Sequence, residues 1–456
     1  MRRFVIQFTL LLSSAAFAQT PQVPLQLSPQ SAYEQATRPL EITRRSIQNW
    51  SDSETAALSV AIQQAKDACS ARTANQFSGE DLIAYARLCS LGLQWPTVQE
   101  AATLYLDATH RTGPEAKPAD AFPGLTQAYG YMIDSSLHLN DPAAALVASF
   151  EMLKTVPYTD LTSQSTNETI RYLQLIQTPD ALSLLAKRQA VLLPLLRSAA
   201  IANPTSSQHQ LSLHDLYADG IELASLQQFA NQPDAAAATI AELEAALPPN
   251  LSTDESILIA ESRRQYALLG TPLPNIASSA YLLREPVNHP PHIETYFSAA
   301  TALLLFPDWC AQCIRMGPQL MGALSRITQF DGHFFALLAQ ATPFPTPTPI
   351  PARTKPASAK AARFLPSSAA PDAALDQAQS LPKTPAELLR GTPTLVVSND
   401  ILTRFAANDF PVLIVTDHNG IIRFLQTAPE NVLVSGGLAD QVVARVIEQW
   451  PAPPAK

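Results

Sequence analysis

The chain has 456 residues, of which 46% are apolar, 15% charged and 7% aromatic; that is too long for one ordinary domain and too apolar for a chain disordered throughout. Its formal charge of -9 argues against a protein held by phosphate contacts, so no nucleic-acid partner is expected. With 39 prolines against 14 glycines the connectors should be stiff, and four cysteines are too few for a disulfide scaffold.

In chain order, Arg2 and Arg3 precede an apolar run from Phe4 to Leu12, and small residues lead to Ala16-Phe17-Ala18. This is the pattern of a secretory signal peptide over residues 1–18, cleaved after Ala18. The alternative is an uncleaved membrane anchor, for which the apolar run is short against the roughly 20 residues a bilayer span needs. The expected location is outside the cytoplasm, in the periplasm. Disulfides form and persist there, which gives weight to every cysteine pair.

Residues 19–50 read as an N-terminal extension. From 51 to 250 the composition is rich in Ala, Leu, Gln and Glu with few β-branched runs, which predicts an all-helical domain. The segments come in pairs: Asp81 to Cys89 with Thr97 to Thr109, Leu125 to Leu139 with Ala143 to Leu153, and Leu213 to Phe229 with Asp234 to Leu247. The breaks fall at Gly92, Asn140-Asp141-Pro142 and Asn231-Gln232-Pro233. The pattern resembles degenerate tetratricopeptide-type hairpins, with a generic helical bundle as the alternative. Either form is a platform suited to a protein partner rather than to chemistry.

Cys69 and Cys89 lie in neighbouring helical segments, separated by a connector around Thr73 to Gly79 that lets them meet across an antiparallel pair. A structural disulfide is one outcome, and two small buried hydrophobes the other.

Residues 251–264 read as a connector and 265–456 as a second domain. Turn-rich Leu269 to Ile276 leads into Tyr281-Leu282-Leu283. Ala302 to Phe306 is a compact apolar run, consistent with a central strand that stops at Pro307-Asp308. A helix over Ala311 to Gln329 and a strand over His333 to Leu338 follow. Between about 341 and 384, proline and alanine dominate, a surface insertion partly in polyproline II form. Beyond it come a short helix from Pro385, a strand over Thr394 to Ser398 and a helix opening near Asn399. Two strands, Val412 to Thr416 and Ile421 to Leu425, are joined by Asp417-His418-Asn419-Gly420, and an amphipathic helix closes at Trp450. That order requires an α/β mixed sheet with helices on its faces.

The chemistry concentrates in Phe306-Pro307-Asp308-Trp309-Cys310-Ala311-Gln312-Cys313, between a strand and a helix. A Cys-x-x-Cys pair at a helix start is a redox pair by geometry: the first sulfur meets unpaired N–H groups and the positive helix end, which favours its thiolate. Cys310 would attack a substrate disulfide and Cys313 would resolve the mixed disulfide. No metal is expected, because no second Cys/His set accompanies the pair and His289 and His292 are loosely spaced. No cofactor is implied.

On these residues the domain resembles the thioredoxin superfamily, and more closely its exported thiol-disulfide oxidoreductase branch of the TlpA and ResA kind. Trp309 to Cys313, Pro318, Phe410-Pro411 opening Val412 to Val415, the Asp417 to Ile421 hairpin and the terminal helix carry the likeness. The resemblance implies catalytic Cys310 and Cys313, a substrate-binding surface from Trp309, Phe410 and Pro411, and Pro411 as a cis-proline, with Pro393 a rival. It also implies a protein thiol or disulfide as substrate and a separate redox partner. Two departures stand out. A carboxylate position after the second cysteine holds Met316, and the buried acid of the preceding strand is replaced by Leu304. The Ala311-Gln312 dipeptide leaves the redox direction open. The competing function is a non-catalytic adaptor or scaffold in which the helices bind and the disulfide is structural.

Overall fold

The computed structural model describes residues 27–46, 51–111, 122–198, 211–276, 278–282, 299–310, 313, 333–340, 384–389, 392–407, 410–427 and 438–452. The segment 1–18 read as a signal peptide, most of the helix expected after the cysteine pair and residues 341–383 of the expected insertion lie outside them.

Eleven helices are described ahead of the sheet: α1 (Pro29–Ser46), α2 (Ser51–Ser70), α3 (Glu80–Leu91), α4 (Trp95–Arg111), α5 (Phe122–His138), α6 (Pro142–Thr155), α7 (Asp160–Ile176), α8 (Thr178–Ser198), α9 (Leu213–Phe229), α10 (Pro233–Ala246) and α11 (Thr253–Ala267). Three hairpins, α3/α4, α5/α6 and α9/α10, close by the same device. A residue in the left-handed region, Leu93, Asn140 or Asn231, stands after the first helix with φ of 55°, 59° and 58°. The next N–H then reaches back into the preceding helix: Gln94 to Cys89 O, Asp141 to Ser136 O and Gln232 to Gln227 O, at 2.9, 2.8 and 2.8 Å. This satisfies carbonyls the helix end leaves free. Pro142 and Pro233 then start the second helices, where a missing N–H costs nothing.

Two sequence boundaries move. Within the extension 19–50, α1 places Ala32, Ala36 and Leu40, four residues apart, in the helical core, so part of that segment belongs to the platform. The connector 251–264 lies almost wholly within α11. Its start is a capping box, with Ser252 Oγ accepting from Glu255 N and Glu255 reaching back to Ser252 N. Only Ile259 of this helix is buried, and the weak apolar stripe hides it from periodicity.

Cys69 and Cys89, on α2 and α3, are joined in a disulfide and are 1% and 0% exposed. Tyr85 Oη donates to the carbonyls of Cys69 and Arg72 beside it.

The sheet has six strands, β1 (Ser278–Leu282), β2 (Thr301–Pro307), β3 (His333–Gln340), β4 (Thr394–Ser398), β5 (Val412–Thr416) and β6 (Ile422–Thr427), in the order β1-β4-β3-β2-β5-β6. β2, β3 and β4 are parallel, and the other pairings are antiparallel. β2 is buried along its whole length, which explains its unbroken apolar run. Short helices α12 (Pro385–Leu388) and α13 (Asp400–Arg404) and the closing helix α14 (Leu438–Gln449) complete this part. An all-helical region followed by a mixed sheet with flanking helices is the architecture expected from sequence.

The two parts share one apolar core. Leu173, Leu184 and Phe229 of the helices cluster with Leu303, Val415 and Val443. Phe229 meets Phe424 and Trp450, with ring centroids 5.7 and 6.4 Å apart. Arg445 of α14 donates to Leu175 O at 3.2 Å. Among the described residues no helix is long and apolar enough to cross a membrane.

Candidate functional site

The cysteine pair hangs from the end of the central strand. Asp308 N–H donates to Ala339 O at 2.9 Å and Cys310 N–H to Pro307 O at 3.1 Å, so the chain is pinned to β3 and then turned immediately before the motif. Cys310 and Cys313 are joined with S–S 2.04 Å. Cys313 N–H points at Cys310 Sγ, 3.1 Å away, so a main-chain donor faces the first sulfur as the spacing predicts.

Access is narrower than the sequence suggests. Cys310 is 4% exposed and Cys313 fully buried, whereas Trp309 beside them is 63% exposed. In the bonded state the first sulfur is nearly covered and sits at the rim of the sheet core, in one apolar cluster with Phe410 and Val412.

The opposite side is built by the start of β5. The antiparallel register sets Leu305 against Val412, which brings the residues just beyond the end of β2 alongside those just ahead of β5. Phe410 and Pro411 stand there, and the bond between them is cis; Pro393, the rival, carries no cis bond. The Phe410 ring meets Trp309 edge-on, with centroids 5.4 Å apart. Trp309, Cys310, Cys313, Phe410 and Pro411 are thus gathered at one end of the sheet.

Asp409 precedes Phe410 in sequence. Between 299 and 330 the sequence holds one carboxylate, Asp308, which is exposed, and two guanidiniums, Arg315 and Arg326. Leu304 is fully buried in β2, facing Ala336 and Leu413 across the register. Met316 and the Ala311-Gln312 dipeptide lie outside the described residues. No group of His, Cys, Asp and Glu able to hold a metal occurs among the described residues. The arrangement is a closely spaced disulfide, a bond that can be reduced and re-formed, at the end of the central strand of a mixed sheet.

A second polar centre, in the helices, went unread in the sequence. Arg188 of α8 is fully buried and donates to Glu222 Oε2 and Asp219 O, both at 2.7 Å, and to Asn167 Oδ1. Asp219 in turn accepts from Tyr158 Oη and Ser163 Oγ, each at 2.7 Å. Burial works against the Arg188 charge, but Glu222, Tyr158 and Asp219 outweigh it and hold the group protonated. An Arg set between Lys187 and Gln189 in an Ala- and Leu-rich helix reads as part of a solvated face, and no local signal marks Arg188 as the buried one.

No family profile matches the chain, and no curated protein matches it. A solved structure of a thioredoxin-like protein from Bacteroides caccae is similar at 12% identity, over 68% of this chain and 92% of that one, with a TM-score of 0.23. A likeness that distant carries no weight for the function here.

Proposed function

We propose that this chain is an exported thiol-disulfide oxidoreductase that exchanges disulfides with protein thiols through Cys310 and Cys313. What supports this is the bonded Cys-x-x-Cys pair at the end of the central strand, with exposed Trp309 and cis-Pro411 on its flanks. In the reducing direction the Cys310 thiolate attacks one sulfur of a substrate disulfide. A bond forms between them, and the second substrate sulfur leaves as a thiolate that takes a proton from solvent. Cys313, deprotonated, then attacks Cys310 Sγ and expels the first substrate sulfur, so two electrons pass to the substrate and the pair ends bonded. Run backwards, the bonded pair oxidises a substrate dithiol. A separate redox partner resets the pair, and its potential relative to the Cys310/Cys313 couple sets the direction. Trp309 offers apolar surface to a substrate chain, and buried Phe410 backs its ring. The helical platform, in this proposal, binds a protein partner, and the compartment is the periplasm.

The 4% exposure of Cys310 favours the second function, an adaptor whose disulfide is structural. Capture and potential measurements separate the two. A Cys313→Ser variant, incubated with an unfolded disulfide-bonded polypeptide, should accumulate a mixed disulfide through Cys310, and Cys310→Ser should not. A reduction potential between about -270 and -120 mV would fit exchange, and one below about -300 mV with no trapped species would make the disulfide structural.

A further inference from the structure

A cleft of about 240 Å³ lies between the sheet and the helices. One wall is formed by five successive residues of β6, Arg423 to Thr427. Side chains alternate between the two faces of a strand, so five in a row line one wall only where the strand turns its edge to the opening. β6 is the terminal strand on that side of the sheet.

The same edge already takes up chain at its start. Gly270 N–H donates to Ile422 O at 2.8 Å, Ile422 N–H to Thr271 O at 2.9 Å and Leu273 N–H to Gly420 O at 2.8 Å, with Pro272 antiparallel to Ile421. The pairing stops there because the residues before Gly270 leave the edge to form α11. From Arg423 onward, no main-chain bond from the helices or loops reaches this edge among the described residues.

Across the cleft stand Gln174 of α7, Leu185 of α8, and Ser225 and Phe229 of α9. Two side-chain atoms of the lining residues are closed off from water and lack a partner: Gln174 Nε2, a donor, and Gln426 Oε1, an acceptor. Such atoms are costly to leave unpaired. A peptide group carries one acceptor and one donor, and so has the chemistry to satisfy both once the two amide side chains turn into the cleft. We propose that this cleft binds an extended polypeptide segment of another protein, which continues the strand pairing along β6 from Arg423 to Thr427 and lays alternate side chains against Ile221, Leu269 and Leu425, the half-buried apolar residues of the lining. The site is separate from the cysteine pair and does not rest on its chemistry.

The test is fluorescence anisotropy of the full chain with a labelled, cysteine-free, unstructured peptide of alternating Val and Thr. Saturable binding is expected. It should weaken at least tenfold in Ser225→Trp, which fills the cleft, and in Gln174→Leu with Gln426→Leu, which removes the donor and acceptor. The double leucine variant should also melt at a higher temperature than the parent without peptide. Binding should be unchanged in Cys310→Ser with Cys313→Ser, and peptide should slow amide hydrogen exchange at 423–427 in the parent. Absence of saturable binding, full affinity in a folded cleft variant, loss of binding in the cysteine variant, or unslowed exchange at 423–427 would each overturn the proposal. The exchange measurement decides if neither cleft variant folds.

Discussion

Trp309 and Phe410 meet edge-on, 5.4 Å between centroids and 89° between planes, so the residue before the first cysteine touches the residue before cis-Pro411. The contact joins the two chain segments that flank the disulfide, and it exists because β2 and β5 are antiparallel neighbours in the sheet.

Trp309→Ala removes this contact and an exposed apolar surface while opening no cavity in the core. An edge-on aromatic pair is worth about 0.5–1.5 kcal/mol, so exchange with a peptide dithiol should slow by roughly twofold to tenfold. Exchange with a small thiol such as glutathione should change less, because a small thiol has no chain to lay on the ring. Stopped-flow measurement of both reactions checks the split; equal slowing would make Trp309 a shield rather than a binding surface.

Removing the second disulfide, by Cys69→Ala with Cys89→Ala, reopens a loop whose ends are 20 residues apart. Closing a loop of that size contributes about 3 kcal/mol in the chain-entropy description. The expected result is a lower urea midpoint for the helical region with the Cys310/Cys313 potential unchanged.

Arg188 anchors three helices through Asn167, Asp219 and Glu222. Arg188→Ala removes the cation beside Asp219, whose side chain is 10% exposed, while Glu222, 40% exposed, can turn to water, and should cost about 2–3 kcal/mol. Equilibrium denaturation reads the loss, and a change below about 1 kcal/mol would mean that the network relaxes into water.

Glu168 of α7 supplies a pH dependence. Burial pushes its carboxyl up from 4.5 to about 7, the Asp134 carboxylate adds to the rise, and Arg171 and His138 partly oppose it. The folded value lies above the unfolded one, so this group's contribution to stability is fully present below pH 4.5 and is lost as pH rises through about 7. Glu168→Gln stays neutral throughout. Its stability relative to the parent should be near zero at pH 4 and reach on the order of 3 kcal/mol at pH 8. Melting curves at the two pH values check the sign.

What the sequence determined by itself is local. The Cys310/Cys313 spacing after an apolar run that ends at Pro307 predicts a pair at a strand end, and the described strand stops at that proline. Asn140-Asp141-Pro142 and Asn231-Gln232-Pro233 predict hairpin turns, and both adopt the same left-handed closure. Asp417-His418-Asn419-Gly420 predicts the β5/β6 turn, in which buried Asp417 accepts from Asn419 N–H and Ile421 N–H. In each case a few adjacent residues carry both the signal and the geometry. The capping box of α11 was equally local, but its weak apolar stripe masked it.

The tertiary structure decided what no short window contains. The cover over Cys310, the burial of Arg188 among α7 and α9, and the placing of the β6 edge opposite Gln174 and Ser225 all depend on which surfaces meet across long stretches of chain. An Arg or a Gln has the same local preferences whether it ends in water or in a core. Burial is a property of the packed whole, set when the apolar faces of the helices and the sheet close on one another and leave each polar group either partnered or stranded.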